Sequence, residues 1–119
     1  MYSANAHQFR NRRKVWWNPG ETIHNPKKLN PVTWKIFCQE NVTILPGRSF
    51  LLALSFGVKM SEGAVLVSLD QELKRIECSI QNEVILEDTS DITIIIHNNS
   101  IDTTISISPG QVLCLLRYV

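Results

Sequence analysis

The chain has 119 residues, 44% of them hydrophobic, with 12 basic and 11 acidic side chains and a formal net charge of +1. That length gives room for one domain with a sizeable core and not for two. The composition excludes a disordered polar chain, and no apolar run approaches the ~18 residues of a membrane-spanning helix.

The near-zero net charge hides an asymmetry. Residues 1–40 carry seven basic against two acidic residues, a net of +5, while residues 41–119 carry five against nine, a net of −4. A basic stretch ahead of a mildly acidic body points to an acidic partner for the stretch, or to a contact with the body itself. The N-terminus shows no apolar segment beside a small-residue cleavage site, so we expect no secretory signal and a protein that works inside a cell. Cys38, Cys78 and Cys114 are odd in number, widely spaced and set in apolar stretches, the pattern of buried free thiols. Neither they nor His7, His24 and His97 have metal-ligand spacing, so we expect neither a metal nor a cofactor.

Residues 1–32 read as a non-regular arm, and residues 33–119 as a β domain. In the arm Asn, Pro, Gly and charge dominate, with turn signals at Asn18-Pro19-Gly20, Asn25-Pro26 and Asn30-Pro31. Trp16 and Trp17 stand out, because neighbours on an extended chain point opposite ways and at least one indole should dock, most simply on the parent body. Trp34, Ile36 and Cys38 then alternate with Lys35 and Phe37 as a short strand. Val42 to Leu45 gives another, closed by Pro46-Gly47. From Phe50 to Met60 the alternation is the longest in the chain, with Phe50, Leu52, Leu54, Phe56, Val58 and Met60 on one face. It predicts one core strand over 49–60.

Glu62-Gly63 turns the chain and Ala64 to Leu69 forms the next strand. Asp70 to Arg75 is the one plausible helix, with Asp70 as its cap. Short strands follow at Ile76 to Ile80 and at Val84 to Leu86, then a polar loop over 87–91. The last third begins with Ile92 to Ile96. It continues with a strand over 101–107 that should put Ile101, Ile105 and Ile107 in the core, bounded by Asn98-Asn99 and Pro109-Gly110. It ends in Val112-Leu113-Cys114-Leu115-Leu116, apolar on both faces. A strand without a wet face lies deep in a core or under another subunit. Val112, Leu113, Leu115, Leu116 and Tyr118 are therefore candidate subunit-interface residues. About eight short strands with turns every 8–12 residues give an all-β antiparallel sandwich or jelly-roll.

The order of these pieces resembles the dUTPases. The likeness runs through Glu40-Asn41-Val42-Thr43-Ile44-Leu45-Pro46-Gly47, the long strand to Met60, and Glu62-Gly63-Ala64-Val65-Leu66-Val67. It resumes from Ile94 to Ser100 and from Ile105 to Leu116, covering residues 30–119 in all. It implies a small jelly-roll that trimerises, with sites shared between subunits. The chemical positions depart from the family. Where its first motif has an aspartate after an aromatic residue, Lys35 follows Trp34. Where its second motif binds phosphate, the chain has Val67-Ser68-Leu69-Asp70-Gln71. The third motif's water-positioning aspartate falls on Ile85 and its tyrosine on Asp88. The fourth is present as Pro109-Gly110-Gln111, and the glycine-rich fifth is not found. An isoleucine can take no proton, so we expect no hydrolysis and no catalytic residue.

A dUTPase fold stripped of its catalytic residues is similar to viral accessory proteins of the adenoviral early-region-four type, which act by binding host proteins. That reading expects host-protein partners, no membrane, and the host cytoplasm or nucleus. Arg10, Arg12, Arg13, Lys14, Trp16 and Trp17 form the candidate partner-binding cluster. The same cluster supports a second reading, a viral structural or nucleic-acid-associated protein, since arginines meet phosphates and indoles stack on bases. A divergent nucleotide-binding protein or dUTP diphosphatase is the third.

Overall fold

A computed structural model describes residues 14–17, 23–54, 56–59, 63–81, 84–86, 89 and 92–119, with residues 14–17, 56 and 59 described by backbone alone. These residues form twelve strands and one short helix. In chain order the strands are β1 (Lys14–Trp17), β2 (Lys27–Asn30), β3 (Thr33–Phe37), β4 (Val42–Ile44), β5 (Ser49–Ala53) and β6 (Phe56–Lys59). After β7 (Val65–Leu69) and α1 (Gln71–Arg75) come β8 (Cys78–Ile80), β9 (Val84–Ile85), β10 (Thr93–Asn98), β11 (Ile105–Ile107) and β12 (Val112–Tyr118). The all-β expectation holds.

The largest sheet runs β2-β3-β12-β7-β9, all antiparallel, and it is organised around β12. Three smaller ladders complete the fold: β5-β10-β8, β11-β4 and β1-β6. The core fills from alternate positions. Cys114, Leu116 and Tyr118 of β12 face inward opposite Leu69, Val67 and Val65 of β7. From the facing ladder come Leu52, Ile94 and Ile96, each buried. Period-2 alternation with one face removed from water is what the sequence pattern demands of such a sheet.

Four expectations are corrected in detail. The stretch 49–60 is two strands, because β5 pairs with β10 only as far as Ala53 and β6 pairs instead with β1. Its inward phase survives at Leu52, Leu54 and Val58, all buried, while Phe50 is only half-buried. The strand 101–107 shrinks to 105–107, and Ile101, expected inside, is 95% exposed. The cause is local competition for backbone amides. The side chain of Asn98 accepts from Ser100 N–H at 2.9 Å, and Ser100 Oγ accepts from Asp102 N–H at 3.3 Å and Thr103 N–H at 3.0 Å. Those amides are spent on a turn and are lost to a ladder.

The third correction concerns residues 1–32, read as non-regular. Residues 14–17 and 27–30 are strands added to the body by backbone pairing with β6 and β3. The four residues of β2 are all exposed, so no alternation marks it. The fourth concerns β12. Leu113, Leu116 and Tyr118 are buried by their own chain, so the apolar run needs no neighbour at those positions. Val112 and Leu115 are half-buried.

Candidate functional site

Three features converge where β3 ends, β12 begins and the segment at 23–24 crosses them. Cys38 and the turn ahead of β12 exchange backbone bonds: Cys38 N–H donates to Gln111 O, and Gly110 N–H to Cys38 O, both at 2.8 Å. Gly110 has φ +86°, a left-handed conformation that glycine adopts without strain. A Cβ there would also lie 3.1 Å from Cε1 of His24, so the imidazole fills the space over the turn. Gln39 holds that imidazole's backbone in place. Its Oε1 accepts from Ile23 N–H at 2.8 Å and His24 N–H at 2.9 Å, and its Nε2 donates to His24 O at 2.6 Å. One side chain thus satisfies three backbone groups of a segment that has no ladder of its own.

The end of β7 flanks the other side of β12. Leu69 points into the core at 3% exposure. Asp70, the next residue, is committed to α1: one carboxylate oxygen accepts from Glu72 N–H at 3.1 Å, the cap expected from its position. Asp70 N–H in turn donates to Leu113 O at 2.8 Å, which ties the cap to β12. Beneath it, burial pushes the Cys114 thiol up to about 12, and the nearby Asp70 charge adds to the rise. Burial raises the Cys38 and Cys78 thiols as well. All three cysteines are buried free thiols, as expected, and none has the lowered value of a reactive nucleophile.

A groove of about 250 Å³ opens beside this end of β7, lined by Leu66, Ser68, Lys74, Ile80 and Val84. Among the described residues β9 pairs only with Val65 and Leu66 of β7, and Val67, Ser68 and Leu69 line the groove. On β3 Trp34 leans inward, with Lys28 Nζ 5.9 Å from its ring centroid, and Lys35 faces outward. Ile85 is half-buried on β9, opposite Val65.

The positions that the family resemblance assigns to chemistry are therefore filled as follows: a lysine at 35, a core leucine at 69, a capping carboxylate at 70 and an aliphatic residue at 85. Asp88 lies outside the described residues. So do Arg10, Arg12 and Arg13, and the side chains of Lys14, Trp16 and Trp17. What is described of that cluster is that Lys14, Trp16 and Trp17 lie on β1, which is paired to β6. Nothing local marks the Gln39–His24 clasp, since it joins residues 15 apart without periodicity. Among the described residues no helix is long and apolar enough to cross a membrane.

Solved structures with this arrangement include viral and phage dUTPases. The dUTPase of EIAV superimposes with a TM-score of 0.73 over 88% of this chain and 85% of its own, at 13% identity. The dUTPase of phage phi11 of S. aureus gives 0.72 over 92% and 90%, at 17% identity. That of Staphylococcus bacteriophage 80alpha gives 0.74 over the same shares, at 15% identity. The chain has a dUTPase fold. No family model matches the sequence, and no curated protein does. At these identities the likeness is one of fold, and activity has to be argued from the site.

Proposed function

We propose that this chain is a non-enzymatic viral accessory protein that uses a dUTPase fold to bind host proteins, in the cytoplasm or nucleus of the infected cell. The observation that carries the reading is the occupancy of the chemical positions. Hydrolysis of a nucleoside triphosphate needs a base for the attacking water and cations or amides for the phosphates. Ile85 offers no base. Leu69 is in the core, and Asp70 is engaged at a helix cap and carries the wrong charge for phosphate. A control function on this fold has a parallel among the neighbours, since the phage 80alpha proteins are described as controlling transfer of virulence genes by a G protein-like mechanism.

The fold match favours a second reading, dUTP diphosphatase, and one pair of measurements separates the two. We expect no pyrophosphate release from dUTP above background, and no calorimetric binding of a non-hydrolysable dUTP analogue with magnesium. Release that disappears on Glu87→Ala or Asp88→Ala would make the chain an enzyme. The reading of a viral structural or nucleic-acid-associated protein rests on the basic cluster at residues 10–14, and a salt-dependent shift with single-stranded DNA tests it.

The same proposal includes a homo-oligomer, a trimer in the simplest case. With Leu113, Leu116 and Tyr118 in their own core, the contact is better sought on the outer face of β5-β10-β8. There Leu51, 65% exposed, stands directly opposite half-buried Ile95.

A further inference from the structure

The outer face of the five-stranded sheet carries a charge arrangement that its own stability does not explain. The register sets Lys27 directly opposite Lys35, with Leu115 and Ser68 continuing the same row across β12 and β7. The next row is Thr33, Arg117, Leu66 and Val84. Arg117 is thus the diagonal neighbour of Lys35. Directly opposed residues of an antiparallel pair have Cβ atoms only about 5 Å apart, and like charges there destabilise the pair. None of the outward positions of the described strands of this sheet is acidic, and among the described residues the one ion pair is Arg75–Glu72, elsewhere. Lys27, half-buried Lys35 and Arg117 therefore share this face with no ion-pair partner among the described residues.

Beside them the groove along β7 sets the aliphatic side chains of Leu66, Ile80 and Val84 next to the polar Ser68 and Lys74. Leu66 is 37% exposed and Val84 50%, and Lys74 stands at the rim. Cations next to a groove with aliphatic side chains fit an extended peptide that crosses the strands and brings carboxylates and one apolar anchor. We infer that this face is a docking surface for an acidic segment of a partner protein. The segment's aliphatic or aromatic anchor enters the groove between Leu66, Ile80 and Val84, and its carboxylates lie across Arg117, Lys35 and Lys27.

The spacing follows from sheet geometry. Ser68 to Lys35 is two strand spacings, about 10 Å, which an extended chain covers in about three residues. The motif is thus an acid about three residues from an apolar anchor. Nucleic acid fits less well, because the two outward rows named above offer no aromatic ring for base stacking. A second copy presenting this same face is excluded by its own charge.

The inference rests on the protein-binding reading above and assigns it a surface and a ligand chemistry. The test is fluorescence anisotropy of the full chain with a labelled peptide that carries leucine three residues from a glutamate pair. A peptide with serine for leucine, a lysine-for-glutamate peptide and an oligothymidylate are the comparisons. We expect the leucine–glutamate peptide to bind best, with affinity falling as salt rises and dropping about tenfold or more in the double variant Lys35→Glu/Arg117→Glu. Leu66→Ser should weaken it at all salt concentrations, and Arg48→Glu, outside this sheet, should leave it unchanged. Lys35→Glu should also raise the melting midpoint at low salt, because the Lys27 repulsion becomes an attraction, which shows that the variant is folded.

Peptide affinity unaltered by the double reversal overturns the surface. If that variant also captures the same host proteins as the wild type, the surface alone is wrong and the interaction reading stands. Tighter binding of oligothymidylate, or a wild-type oligomer that the double reversal dissociates, overturns the inference in favour of nucleic acid or of a subunit contact. If the wild type captures no host protein, the interaction reading fails, and the peptide titration still decides the surface.

Discussion

Cys114 illustrates how a buried residue records its surroundings. Its thiol is fully enclosed, and its ionised form is penalised by burial first and by Asp70 second, giving a value of about 12 against 9.0 for a free thiol. The unfolded chain therefore gives up this proton at lower pH than the folded one. The contribution to stability is fully present below pH 9 and is lost as pH rises from there toward 12, at roughly 1.4 kcal/mol per pH unit. Urea midpoints at pH 8 and pH 10 should differ in that sense, and Cys114→Ala should flatten the difference while lowering the midpoint at both. A thiol reagent at pH 8 should leave Cys114 unmodified in the folded chain. This much was legible in the sequence, since Cys114 lies between Leu113 and Leu115 and apolar flanks bury a thiol. The cap made by Asp70 was legible for a similar reason, being settled within two residues. The clasp of Gln39 on His24 was not, because a side chain reaching across 15 residues leaves no local trace.

The turn that replaces the first half of the predicted strand 101–107 depends on one buried amide. Asn98 is wholly enclosed, and its Nδ2 donates to Ile44 O at 3.0 Å and Thr103 O at 2.7 Å while its Oδ1 accepts from Ser100 N–H. Asn98→Ala leaves three backbone groups without partners. We expect a loss of about 3 kcal/mol or more in chemical denaturation, with early amide exchange at Ser100 and Thr103. Wild-type stability in that variant would show that water replaces the amide. The alternation of Ile101, Thr103, Ile105 and Ile107 was genuine but ambiguous, because Asn and Ser offer a backbone an alternative to a ladder. Element edges suffered most from this ambiguity. β2 has no buried face to announce it, and the division between β5 and β6 comes from a change of pairing partner, which period-2 patterning cannot encode.

For the molecule as a whole, exposed Leu51, opposite half-buried Ile95, is the place to test assembly. Light scattering of the wild type should give a multiple of 13.6 kDa, and Leu51→Glu should return it to that mass. A wild type already at 13.6 kDa ends the oligomer proposal. The position of β12 has a different consequence, which concerns synthesis. β3 and β7 flank it, and neither touches the other's ladder, so the central sheet cannot close until residue 118 has left the ribosome. Until then the nascent chain holds at least two strands with unpaired edges and exposed apolar faces, the condition in which chains aggregate. The long sequence separation between partners also slows closure once it becomes possible. Its yield in a cell should therefore depend on what shields the nascent strands, and a message truncated before Val112 should yield insoluble product.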